Sequence, residues 1–232
     1  MNANRQTAEM SVNNQEGNMM TTPASLIRMA GLSAMVAGIL FVVIQPFHPS
    51  EILSSVTTGA WATVHYLTIA MSLFGLFGVT GIYARQVKET GWLGLAGYLI
   101  MSLWLLLTTA FTFAEAFIMP VLATDAPQFV EGFIGIFSGA ASEANLGVLP
   151  AAGPISFVLY LLGGLLFGIA TLRARILSRW AAGVLAAGAL FPLAASLLPH
   201  PLDRLAAVPV GLGLAWLGYS LWSERRAKVL AE

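Results

Sequence analysis

Residues 85–91 read RQVKETG and residues 173–179 read RARILSR. Each is a short, basic break between two long apolar runs, and together they decide how the chain is laid out. Working outward, the apolar runs lie at about 25–47, 59–84, 92–119, 154–172, 180–199 and 205–223. Each is long enough to cross ~30 Å of hydrocarbon as a helix rising about 1.5 Å per residue. The runs are continuous rather than alternating, which excludes membrane strands. The reading is therefore an all-α, six-transmembrane-helix bundle spanning 23–226. The basic residues orient it. Arg85, Lys88, Arg173, Arg175, Arg179, Arg225, Arg226 and Lys228 fall on the same side as Arg5 and Arg28, whereas the connections 48–58 and 120–153 carry no Lys or Arg. Only Arg204, of eleven bases, falls on the other side. The positive-inside rule then places both termini in the cytoplasm, N-in and C-in.

Composition agrees. The 232-residue chain is 57% hydrophobic and 9% charged, against about 25% charged in soluble domains. The formal net charge of zero hides a segregation: ten bases and five acids on the inner side, one base and six acids on the outer. Without cysteine there are no disulfides, thiolate metal sites or cysteine nucleophiles. Residues 1–22 are polar, lack the apolar stretch of a signal peptide and read as a disordered cytoplasmic tail. Trp92, Trp180, Trp222 and Tyr83 flank the inner ends of the spans, and Trp61 the outer end of the second, as interfacial aromatics do.

Helices in lipid associate by close packing of small residues. Ala30, Ala34 and Gly38, Gly75, Gly78 and Gly81, Gly164 and Gly168, and Gly183 and Ala187 recur at helical spacing. They serve packing within the bundle or a homodimer. Pro192 is expected to kink the fifth span. An echo between AGILF (37–41) followed by His48-Pro49, and AGALF (187–191) followed by His200-Pro201, fits a parallel internal repeat or a chance match in Ala/Gly/Leu-rich sequence.

The basic turns also serve as a ruler. His48 lies 20 residues from Arg28, His65 20 from Arg85, Glu115 23 from Trp92, His200 21 from Arg179 and Asp203 22 from Arg225. At 1.5 Å per residue these are all about 30–35 Å. All three histidines, Glu115 and Asp203 are thus expected at one level, the outer edge of the hydrocarbon. An interfacial role explains His48, His200 and Asp203 equally well, because polar groups sit there without penalty. His65 and Glu115 lie inside their spans, where an ionisable group is costly and tends to be functional. Glu115 extends a stripe with Thr108 and Thr112 on one helix face. His65 and Glu115 are expected to face inward, within reach of each other, and a hydrogen bond from Glu115 to His65 or a threonine would satisfy it without any ligand.

His48, His65 and His200 are candidate metal ligands, and a histidine pair also suits haem. A quinone or lipid headgroup fits the same level. No HxxxH, HExxH or CxxC is present, so a metal site would need several helices. The zinc hydrolases of the ceramidase kind want a serine four residues before the second-helix histidine, where this chain has Trp61. No phosphate loop, Ser-His-Asp arrangement or basic aromatic surface for nucleic acid occurs. No span carries a charge near its centre, as ion-coupled transporters do. The outer connection 120–153 is long for a bundle. Its segment FVEGFIGIF (129–137) is apolar enough to lie in the interface, re-enter the bundle or cap the His/Glu level, and Asp125, Glu131 and Glu143 equally fit a solvated acidic connector.

GIYARQVKETGWLGLAGY (81–98), EAFIMPVLATDAPQFVEG (115–132) and LPHPLDR (198–204) resemble a group of uncharacterised bacterial six-span membrane proteins that carry a domain of unknown function. The resemblance covers about 25–226, implies a bacterial inner membrane and brings no functional residue with it. The expected function is non-enzymatic binding of a small apolar or lipid-like ligand in the outer half of the bundle, at His65, Glu115, Thr112, His48, His200 and Asp203. The alternatives are a metal- or haem-dependent enzyme at that level and a subunit of a transport complex. The expected partners are the lipid bilayer and a second copy or another membrane protein, not nucleic acid.

Overall fold

A computed structural model describes residues 22–137, 142–195 and 202–229, with side chains omitted at 202–203 and 225–229. The expected tail, apart from Thr22, and His200 lie outside the described residues, as does the side chain of Asp203. The described residues are helical and contain no strand.

Helix α1 (Pro23–Phe47) starts in a capping box: Ser25 N–H donates to Thr22 Oγ1 at 3.1 Å and Thr22 N–H to Ser25 Oγ at 3.0 Å, with Pro23 in the first turn. A short turn α2 (Leu53–Val56) leads to α3 (Gly59–Phe113), which Thr58 caps by accepting from Trp61 N–H at 3.2 Å. Although α3 counts 55 residues, it is two arms. Gln86 leaves helical geometry (φ −129°, ψ 18°), and Gly91 takes φ 55°, a conformation that favours glycine. The arms then run antiparallel. Tyr83 stacks on Tyr98 at 4.7 Å, Thr80 Oγ1 lies 3.2 Å from Tyr98 Oη, and Trp61 reaches Glu115. The break falls inside the RQVKETG connection.

Beyond α3 come a π-helical turn (Ala114–Ile118), α4 (Met119–Leu122) and α5 (Pro127–Ile134). Then follow α6 (Ala152–Ala174), α7 (Arg179–Gly188), α8 (Phe191–Ala195) and α9 (Val208–Val229). The second basic stretch ends α6 at Arg175 in left-handed geometry (φ 57°), and Ser178 caps α7. Pro192 acts as expected but by a break rather than a bend: the chain turns at 189–190 and α8 restarts at Phe191 with proline in its first turn.

Neighbours in sequence are neighbours in space, and α9 returns to α1, closing a ring. Ala34 and Ala30 of α1 meet Gly78 and Gly81 of the first arm; Gly97 and Gly163 join the second arm to α6; Gly168 meets Ala186 of α7; Gly213 meets Leu185; and Gly31 meets Gly218. Each pairing runs antiparallel. These small-residue stripes therefore pack within the chain, whereas Ala187 of the Gly183–Ala187 stripe is exposed. At Gly78 a Cβ would lie 2.6 Å from Ala34 Cα, so a larger residue would drive the two helices apart. Ala34, Ala37, Val79, Ile82, Met101, Leu105, Phe167, Leu185 and Leu217 fill the centre.

Four helical stretches are long and apolar enough to cross a membrane: Pro23–Phe47, Gly59–Leu122, Leu149–Ala174 and Arg204–Glu224; Arg179–Ala195 is shorter. Their outward faces carry Met29, Phe77, Phe113 and Val121, and Phe77 is 68% exposed. Such surface is far beyond what a soluble monomer shows to water and marks a membrane protein. The ring has two unlike ends. The basic stretches, the start of α1 and the end of α9 share one, here the basic end, where Arg85 pairs with Glu224 and the Arg28 guanidinium lies 5.5 Å from the Trp222 ring. The opposite, far end holds His48, His65 and Glu115.

Candidate ligand site at the far end

The site grows from Trp61 and His65, one turn apart on the first arm of α3. Their rings stack with centroids 4.1 Å apart. His65 is 2% exposed, and its Nδ1 lies 2.7 Å from the Trp61 carbonyl oxygen. A carbonyl only accepts, so Nδ1 carries the hydrogen. The other ring nitrogen, Nε2, faces Glu115 Oε2 at 3.4 Å. A bare nitrogen lone pair and a carboxylate oxygen are both acceptors. For that contact to be attractive, one proton must lie between them, as imidazolium with carboxylate or imidazole with carboxylic acid. His65 and Glu115 therefore form a close polar pair in a largely desolvated place. Glu115 is its accessible member, with a side chain 15% exposed against 3% for His65.

The backbone around Glu115 explains how it reaches this position. In an α-helix its carbonyl would accept from Met119 N–H, but that group donates to Ala114 instead. The next possible donor is residue 120, which is proline and has none. The widened turn thus releases the Glu115 carbonyl, and Trp61 Nε1–H takes it at 2.8 Å. One residue thereby contacts the first arm twice, by carbonyl to Trp61 and by carboxylate to His65.

His48 closes the third side. Its ring meets His65 edge-on at 5.3 Å and Trp61 at 6.3 Å, and its Nδ1 lies 2.9 Å from the Pro49 carbonyl. Thr112, one turn before Glu115, is buried. Thr108 Oγ1 donates to Trp104 O at 2.9 Å. The turn holding Asp203 (Leu202–Ala207) is at the same end, where Arg204 pairs with Glu51 at 2.8 Å. Among the described residues, no three His, Cys, Asp or Glu groups come together as metal ligands.

The long connection covers this end. Val130, Phe133 and Ile134 of α5 are buried against Trp61, Val56, Phe111 and Met119, and Phe133 stacks on Phe111 at 5.1 Å. Its acids Asp125, Glu131 and Glu143 stay exposed. The segment is both things considered from sequence, an apolar cap with an acidic outer surface. Trp61 corrects the sequence reading. Rather than an interfacial aromatic like Trp92 (86% exposed), it is fully buried (0%) at the hub of the site.

Two apolar grooves lie between α1 and the first arm. One of about 400 Å³, lined by Val43, Ile44, Phe47, Ala60, Val64 and Leu67, is at the far end. The larger, of about 600 Å³, is at the basic end. No family model, curated protein or solved structure matches the chain.

Proposed function

We propose that this chain is a six-span protein of a bacterial inner membrane with both termini cytoplasmic, and that it binds a small apolar or lipid-like molecule in its outer half. Support for the topology comes from the two antiparallel arms of α3, from the broken but apolar 179–195 segment, and from the gathering of basic turns at one end. The bacterial location rests on the sequence resemblance alone.

One observation carries the functional reading: a buried histidine whose Nδ1 is held by a backbone carbonyl and whose Nε2 lies 3.4 Å from a partly accessible carboxylate. A polar ligand end that both donates and accepts, such as a hydroxyl or a quinone-type head, can exchange hydrogen bonds with Glu115. Its apolar body has the 400 Å³ groove lined by Phe47 and Val64. In native mass spectra of gently solubilised protein, the expected result is an adduct present in the parent and Glu115→Gln chains and lost in Glu115→Leu. An adduct retained by Glu115→Leu, or no adduct in any chain, overturns the reading.

A second reading, a metal-dependent activity, has one favouring observation. A histidine anchored through Nδ1 is how metal-ligating imidazoles are held, and the 3.4 Å separation suits two donors on one ion at about 2.0–2.2 Å. Stoichiometric metal in the purified protein, lost in His65→Ala, would favour it over the lipid-like ligand.

A further inference from the structure

The larger groove lies at the opposite end from the His65–Glu115 pair and has its own chemistry. Its walls are Leu26, Met29, Ala30 and Ser33 of α1 and Phe74, Phe77, Gly81 and Ala84 of α3. Phe74, Phe77, Gly81 and Ala84 are spaced 3, 4 and 3 and form the groove floor, and Lys88 lies just beyond the break at Gln86. At Ala84 the apolar groove runs into a second, polar hollow of about 290 Å³ lined by Arg85, Val87, Lys88 and Glu89. Arg85 is engaged by Glu224 and also attracts Glu89, and Lys88 and Glu89 are exposed at the rim of the hollow.

The combination is an apolar trough ending in one cation and one anion side by side. In a bilayer, the molecule that complements it has a fatty chain, a phosphate for Lys88 and a hydrogen-bonding ammonium for Glu89. We propose that this groove is a binding site for a phospholipid with a primary-ammonium headgroup, phosphatidylethanolamine. One acyl chain lies along Phe74 and Phe77, the phosphate rests on Lys88, and the ammonium on Glu89. Phosphatidylcholine has the same charges but no N–H to donate. Phosphatidylglycerol has the phosphate but places its hydroxyls, not a cation, against Glu89. The proposal depends on membrane residence but not on the far-end site.

The test is native mass spectrometry of delipidated protein with each of the three phospholipids added back, alongside soluble glycerophosphoethanolamine. Phosphatidylethanolamine is expected to bind about tenfold more tightly than phosphatidylcholine, one charge-assisted hydrogen bond's worth. Glu89→Gln should erase that preference while Lys88→Gln weakens all three lipids. Ala84→Phe, at an exposed position, should block the groove mouth and remove the adduct with the thermal midpoint unchanged. Equal retention of phosphatidylethanolamine and phosphatidylcholine overturns the headgroup assignment. Binding unaffected by Ala84→Phe, or soluble glycerophosphoethanolamine competing as well as the lipid, overturns the groove.

Discussion

The two ends of the bundle use polar residues in opposite ways. At the far end, Trp61, His65 and Glu115 are interlocked: each hydrogen-bonding group named has a partner, two of the partners are backbone carbonyls, and the cap of α5 lies over them. At the basic end the charges reach the surface. Arg85 and Glu224 pair with side chains still about one-fifth exposed, and Arg179 lies 6.0 Å from the ring of the exposed Trp180. A buried polar pair there is incomplete. Gln86 Nε2 donates to Thr171 Oγ1 at 2.7 Å, while Gln86 Oε1 is buried with no partner. Removing one partner of a buried bond leaves the other unsatisfied, whereas an exposed pair costs little to break. The far end is where polar chemistry is built into the fold, and the basic end is where it is appended.

The sharpest way to break this contrast is at Glu115. Glu115→Leu leaves His65 Nε2 facing hydrocarbon and is expected to cost about 1–3 kcal/mol, read as a lowered thermal midpoint in detergent micelles. Glu115→Gln keeps a donor for Nε2 and should cost less than half as much. Equal losses would mean that an amide donor does not replace the carboxyl group at His65 Nε2.

Next in size is Trp61→Phe. It keeps an aromatic ring on His65 but orphans the Glu115 carbonyl, a loss of about 1 kcal/mol for an interhelical bond in a membrane protein. Faster amide exchange confined to 114–122 is the expected local signature. Loosening spread over the whole bundle would instead make Trp61 a packing residue.

At the basic end, Gln86→Leu combined with Thr171→Val removes both partners and the unpaired oxygen together. The expected change is within about 0.5 kcal/mol of zero, of either sign. A loss as large as that of Glu115→Leu would erase the distinction between the ends. Arg85→Gln is expected to cost about 0–1 kcal/mol, shrinking as salt is added.

Much of the helix layout was legible because lipid imposes it. A backbone in hydrocarbon must satisfy itself, so apolar length and basic turns declare helices without help from tertiary structure. The breaks at 86–91 and 175–178 fell inside the basic stretches for that reason. Depth was legible as well, since 1.5 Å per residue places His48, His65 and Glu115 at one end. The role of Trp61 was not. An indole near a span end reads the same whether it faces headgroups or a carbonyl, and the π-turn that frees that carbonyl follows from a register shift no periodicity announces. The cap was half legible. FVEGFIGIF showed an apolar face, but its seat over Trp61 depends on contacts between segments about 70 residues apart.

That register shift has a consequence for the length of the chain. A π-turn is an α-helix with one residue spliced in, so the turns on either side stay in phase around the surplus residue. Deleting a single residue such as Ala114 returns the segment to α spacing and leaves the helix faces before and after it pointing as they did. Elsewhere in α3 the same deletion would rotate every later residue by about 100°. The helix thus has one place where a residue can be cut out without misaligning the rest, and that place is the one from which Glu115 grips the first arm.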